Sequence, residues 1–412
     1  MSHIVVIGAG ITGVTTAYAL ARNGHAVTVV ERQRYPAMET SFANGGQLSA
    51  SNAEVWNHWS TLMKGIKWML RRDAPLLMNP APSWHKYSWL GEFAFNLRSY
   101  RSNTIETVRL AIAAREHLFS IAERENIDFD HVTRGILHIY WDRPSFEHAG
   151  RVNAMLAEGG LDRRPVTPDE IRAIEPTLHG QFHGGFFTPS DSTGDIHKFT
   201  TGLAAACRRL GVTFVLDATV KHVAHGDGIG VTCSVPDGAM LRDHRLSADA
   251  VVVCAGTASR NIAAMLGDRV NVYPVKGYSI TVHLDSEASQ RAAPWVSLLD
   301  DRAKIVTSRL GAGRFRVAGT AEFNGLNRDI RHDRIQPLVS WTRSLFPDVD
   351  ANRVVSWAGL RPMMPNMLPR VGRGRRKGVF YNTGHGHLGW TLSAATAQTV
   401  AMAVDAELAG GT

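Results

Sequence analysis

Four β-branched residues, Ile4-Val5-Val6-Ile7, stand near the amino terminus and run straight into glycines at positions 8, 10 and 13. A short run apolar at every position suits a strand buried on both faces of a parallel sheet. Apolar residues then recur at helical spacing (Val14, Ala17, Tyr18, Leu20) until Asn23-Gly24 closes the helix. Val27 to Val30 reads as a second strand, ending at Glu31. Further along, the spacing predicts a long helix from Thr104 to Glu125 and strands at Gly135 to Trp141 and Gly184 to Thr188. A second α/β unit follows: a helix from Asp195 to Leu210, then strands Val212 to Leu216 and Ala250 to Cys254. Strands rich in Val, Ile, Tyr and Phe follow at Tyr278 to His283, Lys304 to Ser308 and Arg314 to Ala318. A helix over Arg334 to Leu345, a strand at Val379 to Asn382 and an Ala-rich helix from Leu388 complete the chain.

Nucleotide-binding pieces are thus scattered, which predicts a discontinuous domain with a second one inserted into it. The expected fold class is α/β (α+β overall). A Rossmann-like domain from 1–80, 185–270 and 345–412 would carry an inserted antiparallel-sheet substrate domain from 81–184 and 271–344.

Composition changes this picture little. The 412 residues are 44% hydrophobic and 20% charged, ordinary for a globular chain. The net charge of +8 favours anionic partners without bearing on the fold. Cys207, Cys233 and Cys254 form neither a disulfide framework nor a metal cluster. With no signal-peptide pattern and no apolar run near the ~20 residues that span a bilayer, a cytoplasmic location is expected.

Gly8-Ala9-Gly10-Ile11-Thr12-Gly13 follows a strand, opens a helix and has Glu31 at the end of the next strand. The first glycine permits the tight turn, the second lets the backbone approach a pyrophosphate, and the third packs helix on strand. Glu31 would accept hydrogen bonds from an adenosine ribose, with Arg32 beside it. The motif alone does not separate FAD from NAD. The stretch from Glu39 to Ser49, small and polar with no helical period, replaces the regular βαβ continuation of an NAD enzyme. Such a loop can bring N–H groups and hydroxyls against a diphosphate and a flat heterocycle, though it can also be a plain surface loop.

Nearly the full length resembles the D-amino-acid oxidase superfamily of flavoproteins, and within it the D-amino-acid dehydrogenase small-subunit group. The resemblance is carried by the fingerprint, the Glu39–Ser49 loop, Lys64-Gly65-Ile66-Lys67-Trp68, Gly194-Asp195 with Phe199, and Val253-Cys254-Ala255-Gly256. Most specific are Pro274 to Thr281, Gly359-Leu360-Arg361-Pro362 and Asn382-Thr383-Gly384-His385-Gly386. It implies non-covalent FAD. Ser41, Asn44, Gly45, Gly46 and Gln47 would line its pyrophosphate and flavin, the Val220 backbone its adenine, and Ala255 and Gly256 its ribose and diphosphate. His387-Leu388-Gly389-Trp390-Thr391 would open the last helix toward the flavin's pyrimidine edge, where a helix N-terminus stabilises negative charge. Arg361 would bind a substrate carboxylate as a bidentate fork, the alternative being a structural ion pair. The His387 carbonyl would accept from the substrate amine. Tyr278 and Lys276 would lie near the flavin in roles left open, catalytic or supporting. The implied reaction is oxidative deamination of a D-amino acid by hydride transfer from Cα to flavin N5. The imino acid then hydrolyses to a 2-oxo acid and ammonium.

Hydride loss from a neutral amine needs no protein base, so structural roles are favoured for His385 and His387. Two positions depart from the family pattern: Pro365-Asn366 stands where Pro-Asp is usual, and Gly45-Gly46 where Ala-Gly is common. Five of the ten tryptophans (Trp56, Trp59, Trp68, Trp84, Trp89) cluster with Lys64, Lys67, Arg71 and Arg72, and a basic run spans Arg370 to Lys377. Both suit peripheral contact with the inner face of a cell membrane, where a quinone or other carrier would take the electrons. An active-site lid with a solvated hairpin is the alternative; nucleic acid is not an expected partner. Two rival readings stay open: oxidation of secondary amines such as sarcosine, glycine or D-hydroxyproline, and a flavin-bearing subunit active only with a partner chain.

Overall fold

The computed structural model describes residues 1–59, 63, 76–226, 228–238 and 240–410. The Lys64–Trp68 segment, Arg71 and Arg72 lie outside the described residues. The strands and helices expected from the pattern are present, with ends shifted by a few residues; the long helix, for instance, begins at Tyr100.

His3–Ile7 lies at the centre of a six-stranded sheet, flanked by parallel Ala250–Val253 and Ala26–Val30, with Ile4 opposite both Ala250 and Val27. Its alternate residues feed two cores. Ile4 and Val6 pack beneath the helices Ile11–Arg22, Ile196–Arg209 and Gly389–Ala409. Val5 and Ile7 pack on the other face beneath a three-stranded antiparallel sheet, Thr219–His225, Ile229–Asp237 and Met240–Ala248. Burial on both faces is why this strand alternates nothing in its sequence. Complete burial of each such side chain contributes roughly 1.5–3 kcal/mol.

Among the described residues the second sheet has nine strands and is mostly antiparallel. Tyr273–His283 pairs with Val354–Met363 on one side and Arg314–Phe323 on the other. One face, with Tyr278, Ile280, Val282, Phe315 and Val317, is covered by the helix His332–Leu345. Three strands from, or bordering, the ranges expected for the Rossmann-like part pair in this sheet instead: Leu76–Met78, Gly184–Thr188 and Val354–Met363. Conversely, Leu118 and Ile121 of the helix Tyr100–Glu125 enter the core of the six-stranded sheet.

The Glu39–Ser49 loop joins the two sheets. Toward the first, Ser41 Oγ accepts from Ile11 N–H at 3.0 Å and Ser49 N–H donates to Thr391 Oγ1 at 3.2 Å. Toward the second, Ser279 Oγ donates to the Ala43 carbonyl at 2.7 Å, Arg316 to that of Asn44 at 3.0 Å and Ser308 Oγ to that of Gly45 at 2.6 Å. Buried loop carbonyls therefore find partners, as they must.

Candidate active site

A cavity of about 620 Å³ opens between the sheets, within the size range of small-molecule and cofactor sites. Gly8, Gly10, Ile11, Thr12, Glu31 and Arg32 line one end. Gly8 has φ 110°, and a Cβ there would lie 2.6 Å from the Cys254 carbonyl oxygen, so no other residue closes this turn. Beside it, the first-turn N–H groups of the helix Ile11–Arg22 have no partners within the helix; Ile11 N–H donates to Ser41 Oγ, and such a helix start favours an anionic ligand. Glu31 is buried, and both its oxygens are held, by Ala9 N–H at 2.7 Å and Gln33 N–H at 2.9 Å. Burial pushes its carboxyl pKa up, and these two bonds oppose the shift.

Ser41, Asn44, Gly45, Gly46 and Gln47 form the adjoining wall, with Val220, Ala255 and Gly256 opposite and Leu388, Gly389 and Trp390 at the mouth of the last helix. The glycine at 45 has a local cause: a Cβ would come 2.7 Å from Val306 Cγ2. An alanine, common there in the resembled family, needs a smaller neighbour. A glycine cradle, a helix N-terminus, a carboxylate suited to a ribose and a second helix N-terminus line one cavity, and this set fits FAD.

Two residues expected at the cofactor stand behind the wall. A Cβ on Gly13 would lie 1.8 Å from the Gly8 oxygen, so Gly13 serves the packing of helix on turn. Thr391 Oγ1 is spent on Ser49 N–H.

Arg361 and His387 both reach the cavity. Arg361 Nη1 donates to the Thr320 carbonyl at 2.9 Å, and among the described residues no carboxylate lies within ion-pair distance of its guanidinium. Burial lowers its pKa to about 10, so it stays charged at neutral pH. Gly277 makes room for it: a Cβ there would meet Arg361 Cζ at 2.4 Å. Thr320 has φ 61°, and the bulge it marks turns its carbonyl toward Arg361. Neither supporting role was read from the sequence. Gly277 stands in a quoted motif, whereas a bulge leaves no local signal at Thr320.

His387 Nε2 lies 3.2 Å from the Asn52 carbonyl, which fixes the proton there, and its ring stacks on Trp56 at 5.2 Å. Burial, with the charge of Arg361 adding to it, lowers its pKa to about 4. His385 is deeper, bonded to Thr396 Oγ1 at 3.0 Å, and burial takes it to about 3. Both rings are neutral at physiological pH.

Lys276 is not brought to this cavity; Tyr278 is among the residues that line it, with its hydroxyl turned away to Glu322. Strand alternation puts both side chains on the sheet's opposite face, with Gly277 and Ser279 on the cavity side. Tyr278 donates to Glu322 at 2.6 Å, and Lys276 Nζ bonds Asn327 Oδ1 at 2.7 Å and lies 3.4 Å from Glu322. Burial and that carboxylate raise the Tyr278 pKa. At the departure Pro365-Asn366, Asn366 Oδ1 accepts from Leu368 N–H at 3.2 Å, a bond an aspartate would make equally.

Comparison with known proteins agrees over the whole length. The chain is 70% identical over 408 residues to D-amino acid dehydrogenase 3 of Mesorhizobium japonicum, covering 99% of this chain and 98% of that one. It is 43% identical to the D-amino acid dehydrogenase of Dechloromonas aromatica, over 97% and 96% of the two. Among solved structures, glycine oxidase from Geobacillus kaustophilus superposes with a TM-score of 0.74 at 20% identity, over 99% and 96% of the two chains, which shows a shared fold. L-proline dehydrogenase from P. horikoshii does so with 0.73 at 17% identity, over 97% and 92%. With residues 3–403 matching the family model of that description, the chain belongs to the DAO family of FAD-dependent oxidoreductases.

Proposed function

We propose that this enzyme oxidises D-amino acids to imino acids, which hydrolyse to 2-oxo acids and ammonium. The carrying observation is Arg361, a charged guanidinium in the cavity wall with no protein carboxylate among the described residues to neutralise it. The names of the 70% and 43% identical relatives support the substrate class.

The Gly8 turn and the residues that open the last helix would hold FAD, which when bound would be the two-electron acceptor. Arg361 fixes the substrate carboxylate, and so the direction of Cα–H, by a bidentate match. Its position is set by the Thr320 carbonyl and the space at Gly277. The same positive charge favours the neutral form of a bound amine. His387 is neutral, and its Nε2 proton is committed to Asn52; its carbonyl receives the amine. Neither histidine acts as a base in this scheme. Lys276 and Tyr278 support the sheet behind Arg361. Electrons leave to a quinone or other carrier. Exposed Arg375, Arg376 and Lys377 support contact with an anionic membrane surface. Among the described residues no helix is long and apolar enough to cross one.

The deciding measurement is anaerobic titration of the holoenzyme with D- and L-amino acids, sarcosine and proline derivatives, following the visible flavin band. Bleaching by D-isomers alone is expected. Bleaching by secondary amines alone moves the substrate, and bleaching by none of these refutes amine oxidation by the isolated chain.

A further inference from the structure

The cavity is not lined by Arg361 alone. Glu54, Tyr140 and Arg163 line it as well. Arg163 is 5% exposed. Its Nη2 donates to the Tyr140 hydroxyl at 3.1 Å, and its guanidinium lies 4.6 Å from the centre of the Phe186 ring. Its Nε has no hydrogen-bond partner, and among the described residues no carboxylate pairs with it. The other ionisable groups at this end have hydrogen-bond or ion-pair partners of their own. Lys304 Nζ is 2.5 Å from Asp301, and Tyr100 donates to Glu54 at 2.6 Å. His138, buried beside Arg163 and Lys304, bonds Ser51 Oγ at 2.9 Å and is held neutral.

A buried guanidinium without an anion carries an uncompensated desolvation cost, and its fork geometry matches a carboxylate. The Tyr140 hydroxyl accepts from Arg163, which leaves the phenolic proton for a ligand oxygen. Arg361 and Arg163 thus mark two anion positions in one cavity.

We propose that Arg163, with the Tyr140 hydroxyl, forms a subsite for a carboxylate at the far end of the substrate side chain, so that acidic amino acids are preferred. This rests on the reading of Arg361 as the anchor of the substrate's α-carboxylate.

The test titrates the holoenzyme with unbranched dicarboxylates from malonate to pimelate and with monocarboxylates of matching length, following the perturbed flavin band. These ligands lack an amine, so binding is read without turnover. Affinity is expected to peak at one dicarboxylate length and to exceed that of the matching monocarboxylate roughly ten- to hundredfold, as for a charged hydrogen-bonded pair. Arg163→Met removes that excess and leaves monocarboxylates within about twofold, and Arg163→Lys retains part of it. The kcat/KM values for D-glutamate and D-aspartate against D-norvaline shift in the same sense. Equal affinity for mono- and dicarboxylates in the unmodified enzyme overturns the subsite, as does a variant that weakens both alike. The chain-length series on the unmodified enzyme decides the matter if Arg163→Met fails to fold. Monocarboxylates that do not bind at all, with no D-amino acid bleaching the flavin, overturn the Arg361 reading and the subsite with it.

Discussion

Arg361 keeps its charge at neutral pH although burial lowers its pKa to about 10, and in the proposed scheme a substrate carboxylate would complete it. Replacement by alanine is expected to raise KM about a hundredfold or more, two charge-assisted bonds being lost, while bound FAD stays near one per chain. Gly277→Ala gives a second handle, since its Cβ would occupy the place of the guanidinium. Flavin content should persist while carboxylate affinity falls at least tenfold, measured by the same band perturbation. The histidines make a different expectation. Their folded pKa values, about 3 for His385 and about 4 for His387, lie below the ordinary 6.5. The unfolded chain therefore takes up protons first on acidification. The stability these neutral rings contribute is complete above pH 6.5 and is lost as pH falls toward 4 and 3. His385→Gln should flatten the drop in melting temperature over that window, as read by thermal scans in matched buffers. What was legible at this scale were residues whose chemistry is local, the three glycines and Glu31. Arg361 was legible through its motif. Arg163 was not, because Asp162-Arg163-Arg164 reads as a solvated run and only the fold buries its middle member.

Between elements, a close dependence joins the Glu39–Ser49 loop to the strand Ile305–Leu310. Gly45→Ala should conflict with Val306 and weaken FAD retention, and Val306→Ala should restore much of it. A double-mutant cycle on the FAD dissociation constant checks this, with a coupling of about 1–3 kcal/mol expected. Additive losses would show that the loop adjusts on its own. Elements with strong periodicity were readable from the chain. The outer strand Met240–Ala248 was not, because most of its side chains are exposed and it shows no apolar alternation. Nor could pairing be read: Ile136–Tyr140 lies parallel to Ser297–Asp300, a contact that only the folded topology creates. Alternation then decided the fate of Lys276 and Tyr278. Once Gly277 and Ser279 face the cavity, their neighbours face away from it.

At the scale of the molecule, the cavity wall is drawn from both sheets and from the loop between them, so FAD bound there would touch all three. Excess FAD should therefore raise the melting temperature of the whole protein in one transition, with a gain that follows RT ln(1 + [FAD]/Kd). Two transitions, with only one moved by FAD, would show that the sheets unfold separately. The loop carbonyls of Ala43, Asn44 and Gly45, each held by a side chain of the larger sheet, carry this further. A chain made faster than flavin is supplied lacks the stabilisation that bound FAD would add across that seam, and a chain that opens more often is cut more often by proteases. The abundance of this enzyme in a cell should then track vitamin supply, a form of control that needs no regulator beyond the seam itself.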